Sequence, residues 1–183
     1  MLAIISLLRG VNVGGHNMVK MDALRDLCGS LGCQDVQTYV QSGNVVFRSK
    51  ERDLARLSKR IVDGIERCAG FRPEVMLRTR AEMSSVVARN PFAKRSGIEP
   101  GKLLVYFLAG EPSKEARELA LKIKADPEEL RIDGRELYIY YPNGAGRAKL
   151  SPALLERTLK VAGTGRNWNT VRKLLEMAGA LEG

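Results

Sequence analysis

Thr38-Tyr39-Val40-Gln41-Ser42-Gly43-Asn44-Val45-Val46-Phe47 decides the fold. Two runs of β-branched and aromatic residues flank a polar, glycine-bearing turn, the pattern of a β-hairpin with strands near 35–41 and 44–48. With Ser42-Gly43 as a two-residue turn, Gln41 opposes Asn44, Tyr39 opposes Val46 and Gln37 opposes Arg48 on one side of the sheet. Val36, Thr38, Val40, Val45 and Phe47 make the other side. This register predicts an apolar side that takes helices and a mixed polar side that is open, carrying Gln41, Asn44 and Arg9. Working outward, Leu2–Arg9 reads as a strand and residues 21–32 as a helix. Arg52–Cys68 reads as a second helix, with Leu54, Leu57, Ile61, Ile65 and Cys68 at three- and four-residue spacing. Glu74–Thr79 reads as a strand. Strand–helix–strand–strand–helix–strand is the order of a ferredoxin-like plait, two helices on one face of an antiparallel sheet.

After a helix near 81–88 and a turn-rich connector over 90–101, the pattern restarts with a strand at 102–109, a helix at 114–125 and strands near 128–132 and 135–141. Asp133-Gly134 marks the turn of that second hairpin. Ala3-Ile4-Ile5-Ser6-Leu7-Leu8-Arg9-Gly10 aligns without a gap on Leu103-Leu104-Val105-Tyr106-Phe107-Leu108-Ala109-Gly110, which indicates an internal duplication. Both alternating sets of the 102–109 strand are apolar, so both of its faces are expected to be covered. Ser151-Pro152 opens a helix to about residue 160. Asn167 is expected to cap the last helix, which starts at Trp168 and runs to about 178. The expected class is therefore α+β, two ferredoxin-like (α/β plait) halves with antiparallel sheets plus C-terminal helices. The first half spans 1–92, and the second, 93–183, carries the C-terminal helices packed on the first.

At 183 residues the chain can bury a core without staples. Three cysteines, Cys28, Cys33 and Cys68, are odd in number and have no metal-site spacing, so they read as packing residues in a reducing compartment. No segment reads as a secretory leader or a membrane span, and a cytoplasmic location with no membrane partner is the expectation. Thirty Lys and Arg residues against twenty-one Asp and Glu give a formal charge of +9, which favours an anionic partner. His16 is the single histidine, so no metal set is expected, and no Ser–His–acid triad is indicated for Ser42.

Three passages place glycine or asparagine and a cation before a helix, an arrangement that offers backbone N–H groups to an anion. The first, Arg9-Gly10-Val11-Asn12-Val13-Gly14-Gly15-His16-Asn17-Met18-Val19-Lys20, is neither a Walker loop nor a dinucleotide fingerprint. The second is Tyr141-Pro142-Asn143-Gly144-Ala145-Gly146-Arg147-Ala148-Lys149-Leu150-Ser151-Pro152. In the third, Thr164-Gly165-Arg166-Asn167-Trp168-Asn169-Thr170, Arg166 opposes the helix dipole, a mismatch that an intervening anion would resolve.

Leu7–Gly15, Tyr39–Phe47, Pro142–Leu150 and Thr164–Thr170 resemble the hallmark blocks of a mainly bacterial uncharacterised family, domain of unknown function 1697, nearly end to end and in order. The resemblance implies plait-like α/β halves and supplies neither an activity nor catalytic residues. The leading expectation is that Arg9, Asn12, Gly14, Gly15, Lys20, Gln41, Ser42, Asn44, Asn143, Gly144, Arg147, Arg166, Asn167 and Asn169 serve one polar pocket between the halves. That pocket would bind a small anionic ligand, a nucleotide or phosphometabolite. No cofactor is named, and Lys20 and Ser42 are the candidates if chemistry follows. Two other readings stay open: an RNA-binding plait, which lacks the aromatic-rich RNA-binding motif, and a self-associating scaffold that forms a homodimer.

Overall fold

Apolar residues fill every position of β1 (Leu2–Leu8) except Ser6, and six of the seven are buried, so this strand belongs inside a sheet covered on both faces. The computed structural model describes residues 1–182. It places β1 between β3 (Asn44–Ser49) and β4 (Val75–Thr79), with β2 (Gln34–Tyr39) outside β3, in an antiparallel sheet ordered β2-β3-β1-β4. The crossovers are α1 (Met21–Ser30) and α2 (Leu54–Ala69). One face of this sheet gives Ile4, Leu8, Val45, Phe47 and Leu77 to a core shared with Leu24 of α1 and Leu57, Ile61 and Ile65 of α2. A Cβ on Gly64 of α2 would lie 2.4 Å from Leu27, so the two helices approach through a glycine.

Helix α3 (Arg80–Ala88) is followed by β5 (Leu103–Leu108), α4 (Lys114–Leu121), β6 (Glu129–Asp133), β7 (Glu136–Tyr140), α5 (Pro152–Leu159), β8 (Gly163–Asn167) and α6 (Trp168–Ala180). The second sheet is ordered β6-β7-β5-β8, the same topology as the first. Its core gathers Tyr106, Leu108, Leu137 and Ile139 with Leu155 and Leu159 of α5. The chain divides into two compact units, Met1–Ser85 with the segment from Lys173 onward, and Val86–Arg172. Each holds one βαββαβ plait.

Here the sequence reading needs correction, because β8 does not appear in it. Helix α5 does not belong to a closing helical layer; it is the second crossover of a complete plait, and a glycine-rich strand follows it. Gly-Thr-Gly-Arg-Asn carries no apolar alternation, and the reason lies on β5. A Cβ on Gly163 would sit 2.4 Å from the Tyr106 ring and 2.7 Å from the Phe107 carbonyl oxygen, and one on Gly165 would meet Leu104 and Tyr106 at 3.0 and 3.1 Å. The large side chains of β5 lean across β8, whose glycines leave them room.

The duplication extends to single hydrogen bonds. Leu8 N–H donates to Gly43 O and Arg9 N–H to Glu74 O; Leu108 N–H donates to Arg135 O and Ala109 N–H to Ala162 O, all at 2.9 Å. Leu7 pairs with Asn44 as Phe107 pairs with Glu136, and Ile5 pairs with Arg78 as Val105 pairs with Arg166. Asn44, Glu136, Arg78 and Arg166 are all buried, at matching positions on the sheet faces that point away from the crossover helices.

Three further expectations change. Tyr39, not Gln41, pairs with Asn44, so residues 40–43 form a four-residue connection, and Gln37 meets Val46. Val40 and Gly43 take positive φ angles there, and the Asn44 amide donates to Tyr39 O and Ser42 Oγ, at 3.1 and 2.9 Å. The slip is two residues, so Gln37, Thr38 and Tyr39 keep their faces, while Val40, expected on the apolar side, is exposed in the connection. That second face is not open: Ala3, Ile5, Leu7, Asn44, Val46 and Met76 on it are at most 2% exposed. In the second hairpin Asp133 pairs with Glu136, which makes Gly134 and Arg135 the turn residues.

Candidate functional site

The crossover from β1 to α1 takes twelve residues, 9–20, whereas the equivalent crossover from β5 to α4 takes five, 109–113. The longer loop is held by Asn12. Its Oδ1 accepts the Val19 N–H at 2.8 Å, while Nδ2 donates to Val19 O at 3.0 Å and to Gln41 O at 2.9 Å. All of its amide hydrogens are thereby used, and loop and hairpin are fastened together. Asn12 N–H donates to Asn17 O, Asn17 Nδ2 to Gly10 O, and His16 N–H to Val13 O. Positive φ at Asn12, Asn17, Gly10, Gly14 and Gly15 lets the loop double back, a conformation that Asn and Gly tolerate best.

A cavity of about 480 Å³ lies in the angle between this loop, the start of α1 and Gln41, lined by Asn12, Met18, Lys20, Met21, Asp22 and Gln41 among others. Asp22, the carboxylate in this lining, is paired with Arg25, which also donates to Thr38 Oγ1 at 2.5 Å. Lys20 and Gln41 are exposed. Lys20 occupies the N-cap position of α1 with no side-chain cap. The other helices are served: α2 by Asp53, α4 by Ser113 and α5 by Ser151. Thr79 and Glu82 box the start of α3, and Asn167 Oδ1 accepts the Asn169 N–H of α6 at 3.0 Å, as the sequence predicts. The first-turn N–H groups of α1 therefore lie beside the cavity without a side-chain acceptor.

Several other expected residues have structural work. Arg9 lies 3.6 Å from Glu74, both partly exposed. Ser42 and buried Asn44 form the hairpin turn, where the Ser42 hydroxyl accepts from the Asn44 amide. Gly14 and Gly15 are exposed within the loop.

In the second passage the anion is the protein's own. Both oxygens of the Glu128 carboxylate accept backbone N–H groups, Lys149 at 2.8 Å and Leu150 at 2.7 Å, and Lys149 Nζ donates to Asp126 O. The Tyr141 hydroxyl donates to Leu150 O, and burial pushes its pKa up to about 12. Asn143, Gly144 and Arg147 are exposed on this loop. Gly144 and Asn167 border a small cavity of about 110 Å³, and Asn167 Nδ2 donates to Gly101 O at 2.8 Å.

Arg166 lies in β8 rather than in a loop ahead of the helix. Its guanidinium donates to Thr164 Oγ1 at 2.6 Å and Gly165 O at 2.9 Å, and burial pulls its pKa down to about 10. The mismatch with the α6 dipole disappears, because the side chain of a strand residue folds back along its own strand. Glu128 and the buried Arg78, whose guanidinium donates to Leu77 O at 2.9 Å, were not singled out from the sequence. A carboxylate answering the 141–152 passage was the available signal.

Burial raises the Cys28 thiol to about 12 and raises Cys33 as well. Among the described residues no cluster of three His, Cys, Asp or Glu could hold a metal, and no helix is long and apolar enough to cross a membrane.

Two βαββαβ plaits of one topology, joined in a single chain, define an α+β protein with a duplicated plait. The chain belongs to the family described as protein of unknown function DUF1697, whose model matches residues 1–138. It is similar in structure to a conserved bacterial protein, SP0830 from Streptococcus pneumoniae, with a TM-score of 0.78 and 21% identity over 97% of this chain and 98% of that one. At this identity the likeness shows a shared fold. No curated protein matches the sequence.

Proposed function

We propose that the chain binds a small anionic ligand, of the nucleotide or phosphometabolite class, in the cavity between the 9–20 loop and the start of α1. The observation that carries this reading is the twelve-residue crossover beside a cavity of about 480 Å³, where the duplicate plait crosses over in five residues. The topology does not require the extra length, and the cavity lies within the range of about 300–1,000 Å³ usual for small-molecule sites. Lys20 and the uncapped N–H groups of α1 supply positive potential, Gln41 supplies an amide, and Met18 and Met21 give an apolar wall. A net charge of +9 favours the approach of an anion. The RNA-binding alternative draws less support, because residues on the second face of each sheet, among them Ile5, Val46, Tyr138 and Tyr140, are buried rather than presented for base stacking.

The test is a thermal-shift screen of nucleotides and phosphometabolites on wild type, Lys20→Ala and the charge-matched control Arg56→Ala, whose side chain is 71% exposed on α2. A ligand at a hundred times its Kd stabilises the native state by about 2.7 kcal/mol. The expected result is a midpoint shift in wild type and Arg56→Ala that shrinks in Lys20→Ala. An equal shift in all three proteins refutes the site.

A further inference from the structure

Helix α1 ends in a Schellman turn. Gly32, at φ +86°, donates its N–H to Gly29 O at 2.9 Å, and Cys33 N–H reaches back to Cys28 O at 3.1 Å. In this turn the residue accepting the longer bond and the residue donating it frequently bring their side chains together as an apolar contact. Here both are cysteines. They are 1% and 6% exposed and share one apolar cluster with Leu24, Leu57 and Ile61. A backbone bond of 3.1 Å keeps their Cα atoms within roughly 7 Å, the limit for a disulfide without backbone movement. Arg60 of α2 donates to Leu31 O of the same turn at 3.2 Å; burial raises the Cys33 thiol, and the Arg60 charge offsets part of that rise.

We infer that Cys28 and Cys33 are an oxidisable pair that closes to a disulfide by exchange with a small-molecule disulfide such as oxidised glutathione. The Cys33 thiolate attacks one sulfur of that disulfide, forming a mixed disulfide and releasing one glutathione thiolate. Cys28 gives its proton to the released thiolate or to solvent and attacks the Cys33 sulfur, and the second glutathione leaves as a thiolate that is then protonated. Two protein thiols are oxidised to one cystine, and one small disulfide is reduced to two thiols. Cys68 is exposed on α2 with its Sγ toward Ile65 O, and can be replaced to leave the pair alone.

Folded Cys68→Ser protein is incubated with oxidised glutathione at pH 8, quenched in acid, unfolded, alkylated and digested with trypsin. Both cysteines fall in the peptide spanning 26–48. The expected product is that peptide without alkyl groups and about 2 Da lighter than the reduced form, restored to two alkylatable thiols by dithiothreitol. Two alkylated thiols after a day of exposure overturn the inference, as does a reaction that stops at a glutathione adduct. The oxidised protein should also melt at or above the midpoint of the reduced protein, since the bridge fits the native turn. A midpoint lowered by more than about 5 °C means that the bridge forms only by distorting the turn, and overturns the inference as well.

Discussion

Gly163→Ala tests the account of β8 most sharply. The added methyl would stand 2.4 Å from Tyr106 Cε1 and 2.7 Å from the Phe107 carbonyl oxygen. The ring can retreat only by giving up its hydroxyl's contacts with Gly163 O, at 3.0 Å, and the Glu156 carboxylate. The carbonyl belongs to β5, where Phe107 pairs with Thr164, so it moves only if the β5–β8 ladder opens. Overpacking costs about 1–3 kcal/mol, a lost bond to a charged acceptor costs about 1.5–3, and reduced freedom of the unfolded chain returns about 0.4–1. The net destabilisation comes to about 3 kcal/mol. Gly165→Ala meets Leu104 Cδ2 at 3.0 Å and the Tyr106 ring edge at 3.1 Å; the Leu104 methyl can swing aside, and the cost should stay below about 1 kcal/mol. Gly110→Ala has nothing within 4 Å and should be neutral or slightly stabilising. Urea unfolding followed by fluorescence of Trp168, the single tryptophan, next to β8 in sequence, reads all three. If Gly163→Ala stays within about 1 kcal/mol of wild type, or is no worse than Gly165→Ala, the glycines of β8 are not there to admit the side chains of β5.

Two other outcomes follow from single side chains. The Ser6 hydroxyl is buried in β1 with no hydrogen-bond partner among the described residues, so Ser6→Ala should raise stability by about 1 kcal/mol in urea unfolding; a loss would show that the hydroxyl is satisfied. The Ala3 N–H and then Arg80 hold the Glu182 carboxylate below its usual range. Its contribution is therefore present above about pH 4.3 and lost as pH falls through the lower native value, because there the unfolded state binds more protons. The gap in melting temperature between wild type and Glu182→Gln should be open at pH 7 and narrow progressively as pH falls below about 4.3; a gap independent of pH would contradict this assignment.

The first plait was legible because its elements carry period in their apolar residues. Leu57, Ile61 and Ile65 announce α2, and the unbroken apolar run announces β1. Strand β8 was illegible for the opposite reason: what fits it to the sheet is the bulk of Tyr106 and Leu104 on another strand, so the positions that meet them, Gly163 and Gly165, carry no side chain. The hairpin register slipped by two because Asn44 turns its amide back on Tyr39 and Ser42, closing a wider connection than Ser42-Gly43 alone. Of the candidate site, the loop and its cavity could be suspected from glycine, asparagine and lysine. The apparent anion seat at 149–150 could not be told from a filled one, because its occupant, Glu128, lies more than twenty residues away in sequence. Arg166 was misplaced with its strand.

The division of the chain also sets an order of assembly. Residues 86–172 form one unit and lie inside the sequence of the other, whose last segment begins at Lys173. On the ribosome the second plait is therefore synthesised whole while the first still waits for Leu174 and Ala178, both fully buried in the finished protein. The hydrogen bond from Ala3 to Glu182 closes across 179 residues, a span that favours slow, late docking over early nucleation. A nascent chain lacking everything after residue 172 would hold one complete unit and one plait still missing the C-terminal segment that completes its unit, and it is the older of the two, made first, that would need protection.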